Sequence, residues 1–403
     1  MDDFAVACAD RKMSKEIIED INNQMTIEIK ELGLLDRFNG TDIDQTREYI
    51  KLHNTTYINK IISHHPWLQS KQEHIHTLPL PMRADPPYLR ELETAEPAQD
   101  DERNLLEKEY HFKYRQGIGE IIYAMVTCRP DISFPVIKLA QYSTKPARIH
   151  FEAVKHLYKY LAATKTEGIY YWRKTKRHDL KPGIIPKCND NLKHMTSDEL
   201  QETIPNPQVT PHILETAVDS DHAGDTTHRK SVTGIIHRLA GGTVHYKTKY
   251  TDIIPQSSTE AEFIAAVEAG KQILYLRSIL DEINMPQESA TVLYEDNQGA
   301  LLMANAQQPT KRSRHMDIKN FALQDWVKRD LILLKRISTK NNYSDAMTKS
   351  LQRILFYRHM NYISGKYIPD YAKQTRQTQC IKKVCFNLGQ HQNKPISKHG
   401  MMC

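Results

Sequence analysis

Six carboxylates carry the chemistry this sequence could do. Asp219 and Asp221 close the run LETAVDSDHAGD, Glu260 and Glu262 follow in SSTEAEF, Asp296 sits in YEDNQGA and Asp345 in SDAMTKSL. Each has an ordinary use alone. Two acids near a strand end suit a solvated turn, Glu260 and Glu262 suit the first turn of a helix, and Asp296 and Asp345 suit helix N-caps. Together, hard oxygen ligands from separate elements can hold two Mg²⁺ or Mn²⁺ ions, which activate a water and neutralise charge on a phosphodiester.

The elements that must position these acids follow from periodicity. A strand sends Asp219 and Asp221 to one face, and Ala223-Gly224 beyond them permits a turn or a close backbone approach. Val232 to Ile236 and Thr243 to Tyr246, around Gly241-Gly242, read as further strands of a meander. SSTEAEFIAAVEAGKQILYLRSIL carries Phe263, Ala266, Val267, Gly270, Ile273, Leu274 and Arg277 on one face and is the strongest helix in the chain. Glu260 and Glu262 lie roughly 200° apart on it, and periodicity leaves open which one faces inward. A strand then enters a helix at Asp296-Asn297. A helix over 317–328, a strand over 331–337 and a last helix opened by Ser344-Asp345 complete the pattern. This order predicts a mixed α/β domain over 214–363, a mixed sheet flanked by helices.

Composition narrows the setting. A mean hydropathy of -0.61 and no stretch near eighteen apolar residues argue against a membrane span. The six cysteines are too sparse for a disulfide framework and read as reduced intracellular thiols, which leaves cytoplasm and nucleus both open. Seven of the 55 Lys/Arg and one of the 49 Asp/Glu lie at or after Lys366, so the preceding 365 residues balance at 48 of each sign. The body therefore cannot bind phosphate by net charge and needs local bases or metal ions. Arg229-Lys230, Lys247, Lys249 and Lys311-Arg312-Arg314 are the candidates.

Upstream, residues 14–32 predict an amphipathic helix capped by Ser14. A hairpin through Asn39-Gly40 and a short helix ending near His65-Pro66 follow. Residues 69–108, proline-rich and polar, predict an extended connector. Residues 109–172 predict three helices, the first two separated at Arg129-Pro130. Lys155, His156 and Lys159 on the third suit either a solvated face or a surface tracking a nucleic-acid backbone. Residues 173–213 read as a linker and 364–403 as a basic disordered tail, whose Cys380, Cys385, His391, His399 and Cys403 are spaced too widely for a zinc knuckle.

Five runs in order, VDSDHAGDTTHRKSVTG, SSTEAEF, YEDNQGA, RSRHMDI and SDAMTKSL, resemble the ribonuclease H domain of copia-type LTR-retrotransposon polyproteins. Upstream, FNGTDIDQTREYIKLHNTTYINKII and YRQGIGEIIYAMVTCRPDISFPVIKLAQYSTKPARIHFEAVKHLYKYL resemble the segment after the active site of that family's reverse transcriptase. Met1-Asp2-Asp3-Phe4 is similar to the end of its aromatic-x-Asp-Asp strand. The resemblance implies a ribonuclease H-like domain over 214–363. It also implies a reverse-transcriptase palm remnant over 1–68 and a thumb or connection region over 109–172.

The resemblance implies Asp219, Glu262, Asp296 and Asp345 as metal-binding catalytic residues, with Asp221 a neighbour or alternative and His315 a residue for substrate or product handling. It implies two-metal endonucleolytic hydrolysis of the RNA strand of RNA/DNA hybrids, and association with a longer Pol polyprotein or particle. The polymerase fingers and third carboxylate would lie upstream of Asp2-Asp3, so no polymerase activity is expected of these 403 residues. A decayed or repurposed remnant that binds nucleic acid or a partner without cutting is the alternative.

Overall fold

Two left-handed residues, Asn39 at φ 47° and Gly40 at φ 79°, make the tight turn that opens the first sheet, as the right-handed strand twist favours in a two-residue hairpin. They join β1 (Arg37–Phe38) to β2 (Thr41–Gln45), and β3 (Tyr49–His53) and β4 (Gly168–Trp172) extend the sheet in the order β1-β2-β3-β4. The computed structural model describes residues 4–8, 11–26, 29–68, 80–173, 177–183, 213–222, 229–305 and 319–366.

Seven helices accompany this sheet among the described residues: α1 (Arg11–Gln24), α2 (Thr55–His64), α3 (Pro86–Thr94), α4 (Asp100–Tyr110), α5 (Tyr114–Cys128), α6 (Ser133–Ala140) and α7 (Arg148–Ala163). Three local expectations change. Helix α1 starts at Arg11, so Ser14 lies inside it, and none of its side chains is fully buried. The described part of 69–108 is helical rather than extended. Asp85 caps α3 by accepting the Tyr88 N–H at 3.2 Å, and the prolines sit at its first positions, where a missing N–H costs nothing. Leu92 and Leu106 fix α3 and α4 to the core. Strand β4, unseen in the sequence, pairs Gly168–Trp172 with Tyr49–His53 across more than a hundred residues.

On α7 His156 is not part of a solvated face, because its Nε2 is 2.8 Å from the Leu80 carbonyl and burial pushes its pKa down. Lys155 lies over the Trp67 and Tyr110 rings at 5.2 and 5.3 Å, while Lys159 is exposed.

The second sheet is mixed. Strands β5 (Glu215–Asp221), β6 (Val232–Leu239) and β7 (Gly242–Tyr250) run antiparallel in sequence, and β8 (Thr291–Glu295) and β9 (Ile332–Arg336) add in parallel beside β5, giving the order β7-β6-β5-β8-β9. This is the mixed α/β architecture that the ribonuclease H-like reading requires. Helices α8 (Ser258–Glu282), α9 (Gln298–Asn305) and α10 (Lys319–Lys328) cover one face, packing Phe263, Ala266 and Ile273 on Val218, Ile235 and Leu293. A 3-10 turn, Tyr343–Met347, and α11 (Arg353–Ile363) cover the other through Ala217, Ile236, Met347 and Phe356. Both faces are covered, so β5 and β6 are buried along nearly their whole length, polar residues such as Thr216, Asp219, Thr233 and His237 included.

The two sheets meet directly. The Trp172 N–H donates to the Ala240 carbonyl at 3.1 Å, the Trp172 indole to the Gly365 carbonyl at 2.7 Å, and the Tyr171 hydroxyl to the Thr243 carbonyl at 2.5 Å. No described helix is long and apolar enough to cross a membrane.

Candidate metal centre

Strand register brings the first two acids together. The last β5–β8 pair is Ala217 with Tyr294, so two residues further on Asp219 and Asp296 leave adjacent parallel strands side by side. Helix α8 supplies the third. Ala261, Ala265, Ala266 and Ala269 on its inner face are fully buried, and these small side chains let its first turns approach the sheet closely. Glu262 is thereby carried to the strand ends. One carboxylate oxygen from each of Asp219, Glu262 and Asp296 lies within 4.8 Å of the others.

Spacing left Glu260 and Glu262 open, and the fold gives them different surroundings. Ser257 Oγ accepts the Glu260 N–H at 3.2 Å, and the Glu260 carboxylate accepts the Gln256 N–H at 2.8 Å, closing the helix start. Glu262 is 6% exposed, and its Oε2 has no hydrogen-bond partner among the described residues.

A further carboxylate, missed in the sequence, stands beside it. Glu295 is fully buried; its Oε1 accepts the Asn297 N–H at 2.9 Å, and its Oε2 has no partner among the described residues. Strand alternation was the available signal, since Glu295 shares the buried face of β8 with Thr291 and Leu293, but a glutamate between Tyr294 and Asp296 at a strand end is ordinarily assigned to solvent. Burial, with Glu295 and then Asp219 and Asp296 nearby, pushes the Glu262 carboxyl far above its usual range. Burial likewise raises Glu295 to about 8. Asp296 and Asp221 are also raised, by burial first, with the Asp219 charge adding.

Asp345 lies in the 3-10 turn and not at the start of the last helix. Asn342 fastens that turn to the sheet, its Nδ2 donating to the Val218 carbonyl at 3.0 Å. The Thr348 hydroxyl donates to Asp219 Oδ2. Lys349 Nζ stands 3.0 Å from Asp345 Oδ1 and 3.7 Å from Asp219 Oδ2. Burial, with Asp219 beside it, raises Asp345 to about 8. Lys349 and Thr348 were not singled out in the sequence; the i,i+4 spacing of Asp345 and Lys349 was the available signal. Asp296 does not cap α9, since Asn297 Oδ1 accepts the Ala300 N–H at 3.1 Å in that role.

Three buried or half-buried carboxylates with one oxygen of each within 4.8 Å of the others, and buried oxygens of Glu262 and Glu295 without a partner among the described residues, fit a hard divalent cation by donor chemistry and by charge. Among the phosphate-contact candidates, Lys247 pairs with Glu268 at 2.9 Å, and Lys249 lies 3.4 Å from Asp252. Arg229 is exposed at φ 56°, and Lys230 is half-buried. Asp2, Asp3, Lys311, Arg312, Arg314 and His315, like the cysteines and histidines of the tail, lie outside the described residues.

No protein-family model matches the chain. Over 243 residues, 60% of its length, it is 30% identical to the retrovirus-related Pol polyprotein from transposon TNT 1-94 of Nicotiana tabacum, covering 16% of that protein. It is 26% identical over 257 residues to the corresponding polyprotein from transposon RE2 of Arabidopsis thaliana, covering 15% of it. Among solved structures, the LC11 ribonuclease H1 isolated from compost is similar at 15% identity and a TM-score of 0.28, over 34% of this chain and 93% of that one. The chain thus spans about a sixth of the Pol polyproteins it matches. By sequence, it is a homologue of the retrovirus-related Pol polyproteins of copia-type transposons.

Proposed function

We propose that residues 214–363 form a metal-dependent ribonuclease that cuts the RNA strand of RNA/DNA hybrids, in a retrotransposon-derived chain whose residues 1–172 descend from a reverse transcriptase. The observation that carries this reading is the convergence of Asp219, Glu262 and Asp296 at the strand ends of a mixed sheet. The motif resemblance supplies the substrate class, and the Pol homologues support the retroelement setting and a longer polyprotein as partner.

In this reading Asp219, Glu262 and Asp296 hold the cation, with Asp345 the fourth acid and Asp221 a flanking one. Divalent ions bound there would supply Lewis-acid charge for water activation and for the phosphodiester. The chain's residues do the rest. Thr348 orients the Asp219 carboxylate by donating to its Oδ2. Glu262 must release its carboxyl proton as the cation enters, because only the ionised form ligates. Arg229, Lys230 and the basic residues Lys311, Arg312 and Arg314 are proposed to meet the hybrid's phosphates, with His315 handling substrate or product. The RNA strand is distinguished by groove shape and 2′-hydroxyls rather than by sequence.

Incubating the full chain with a labelled hybrid and Mg²⁺ tests the proposal. RNA fragments with 5′-phosphate ends are expected. Retention of the hybrid without scission would instead support the non-cutting remnant.

A further inference from the structure

The acidic centre is lopsided about Asp219. Toward Glu262 and Asp296, one carboxylate oxygen from each of the three acids lies within 4.8 Å of the others, and no Lys, Arg or His forms an ion pair with Glu262 or Asp296 among the described residues. Toward Asp345 the chain supplies its own cation. Lys349 Nζ sits 3.0 Å from Asp345 Oδ1 and 3.7 Å from Asp219 Oδ2, bridging two carboxylates that are each 3% exposed. The lysine side chain is 37% exposed, so its head enters the centre from the surface on a flexible stem. The turn that carries it is held in place, by Asn342 on Val218 and by Thr348 on Asp219.

A divalent ion shared by Asp219 and Asp345 would need oxygens of both at roughly 2.0–2.6 Å. The ammonium already stands within ion-pair distance of both carboxylates, and a second cation brought to the same oxygens at low dielectric meets strong repulsion. A lysine suits the position because its charge is compact and its stem can swing, whereas a guanidinium is broad and planar.

We propose that Lys349 is a built-in cation that fills the Asp219–Asp345 side of the centre. The chain without nucleic acid therefore takes one divalent ion, on the Asp219–Glu262–Asp296 side. A second ion enters only when the ammonium is drawn away, and a backbone phosphate of bound nucleic acid is the counter-charge that draws it. Lys349 is thus a positioning residue that couples substrate binding to completion of the metal set. This inference rests on the metal-centre reading above.

The test counts Mn²⁺ ions bound to the full chain by calorimetry and by electron paramagnetic resonance. Without nucleic acid the parent should bind one ion, Lys349→Arg one, and Lys349→Met two. Adding a hybrid made uncleavable by 2′-O-methylation of its RNA strand should raise the parent from one to two. Where Lys349→Met fails to fold, Lys349→Gln, neutral and still polar, should likewise bind two ions without nucleic acid. Two ions on the free parent, one on a folded Lys349→Met, or no gain with hybrid overturns the role of Lys349 and leaves the metal centre standing. No bound ion in any arm overturns both.

Discussion

Asp219 and Gly234 are cross-strand partners, and the absent side chain of one allows the other to be gripped. A Cβ on Gly234 would stand 2.7 Å from Met347 Cβ, 2.7 Å from Thr348 Cγ2 and 3.1 Å from the Ser344 carbonyl. Those atoms belong to the segment whose Thr348 hydroxyl holds Asp219 and whose Lys349 flanks it.

Gly234→Ala is therefore expected to push the 3-10 turn off the sheet. The cost should be about 1–3 kcal/mol of stability, as for other overpacked cores. Divalent-ion affinity should fall with it. Urea unfolding and Mn²⁺ titration check both effects, and unchanged values for both would remove the turn from the account of the site.

The carboxylates set a pH dependence for the ion-free protein. Glu262, Glu295 and Asp345 have folded pKa values raised by burial, the latter two to about 8. A raised acid stabilises the fold below its unfolded pKa, and that contribution is lost as pH rises through the folded value. Between the ordinary carboxylate range and about pH 8 the ion-free chain should lose stability. The rise in Tm produced by saturating Mg²⁺ should grow over the same window. Glu262→Gln should stabilise the ion-free chain by about 1–2 kcal/mol at the alkaline end and reduce the Mg²⁺ response. Thermal unfolding across a pH series reads both, and a Mg²⁺ shift that shrinks with rising pH would contradict the assignment.

Two histidines act in the opposite direction. His359 is fully buried, neither ring nitrogen has a hydrogen-bond partner among the described residues, and burial, with Arg358 and Lys349 nearby, pushes it down to about 3. Burial, with His245 nearby, does the same to His237. Each contributes stability that is fully present above the unfolded value of 6.5 and is lost as pH falls toward 3. The slope is up to about 1.4 kcal/mol per pH unit per histidine. His359→Leu should flatten the acid limb of a urea-midpoint series by one such slope. An acid limb as steep as the parent's would contradict the burial of a neutral ring.

The sequence made the second sheet legible because short β-like runs bounded by turn residues stand in order before the long helical pattern of α8, and because the acids recur at element edges. Its silence elsewhere has physical reasons. Strand β4 pairs with β3 at a separation no local pattern encodes. Pro86 and Pro87 read as breakers, yet they start a helix once Asp85 caps it. Glu260 and Glu262 border the apolar stripe by similar angles, so only the approach of α8 to the strand ends separates their surroundings. Glu295 was hidden because a charged side chain at the end of a strand is ordinarily given to solvent, although it continues the buried face of Thr291 and Leu293 and β9 pairs beside it.

Hydrolysis of a labelled RNA/DNA hybrid in Mg²⁺ by the parent chain and by Asp296→Asn tests the central claim most directly. The parent is predicted to release RNA fragments with 5′-phosphate ends. The variant, lacking one of the three converging acids, is predicted to lose at least the roughly 10–100-fold that removal of an outer metal partner costs. An intact hybrid with the parent, or equal cleavage by the two proteins, would contradict the nuclease assignment.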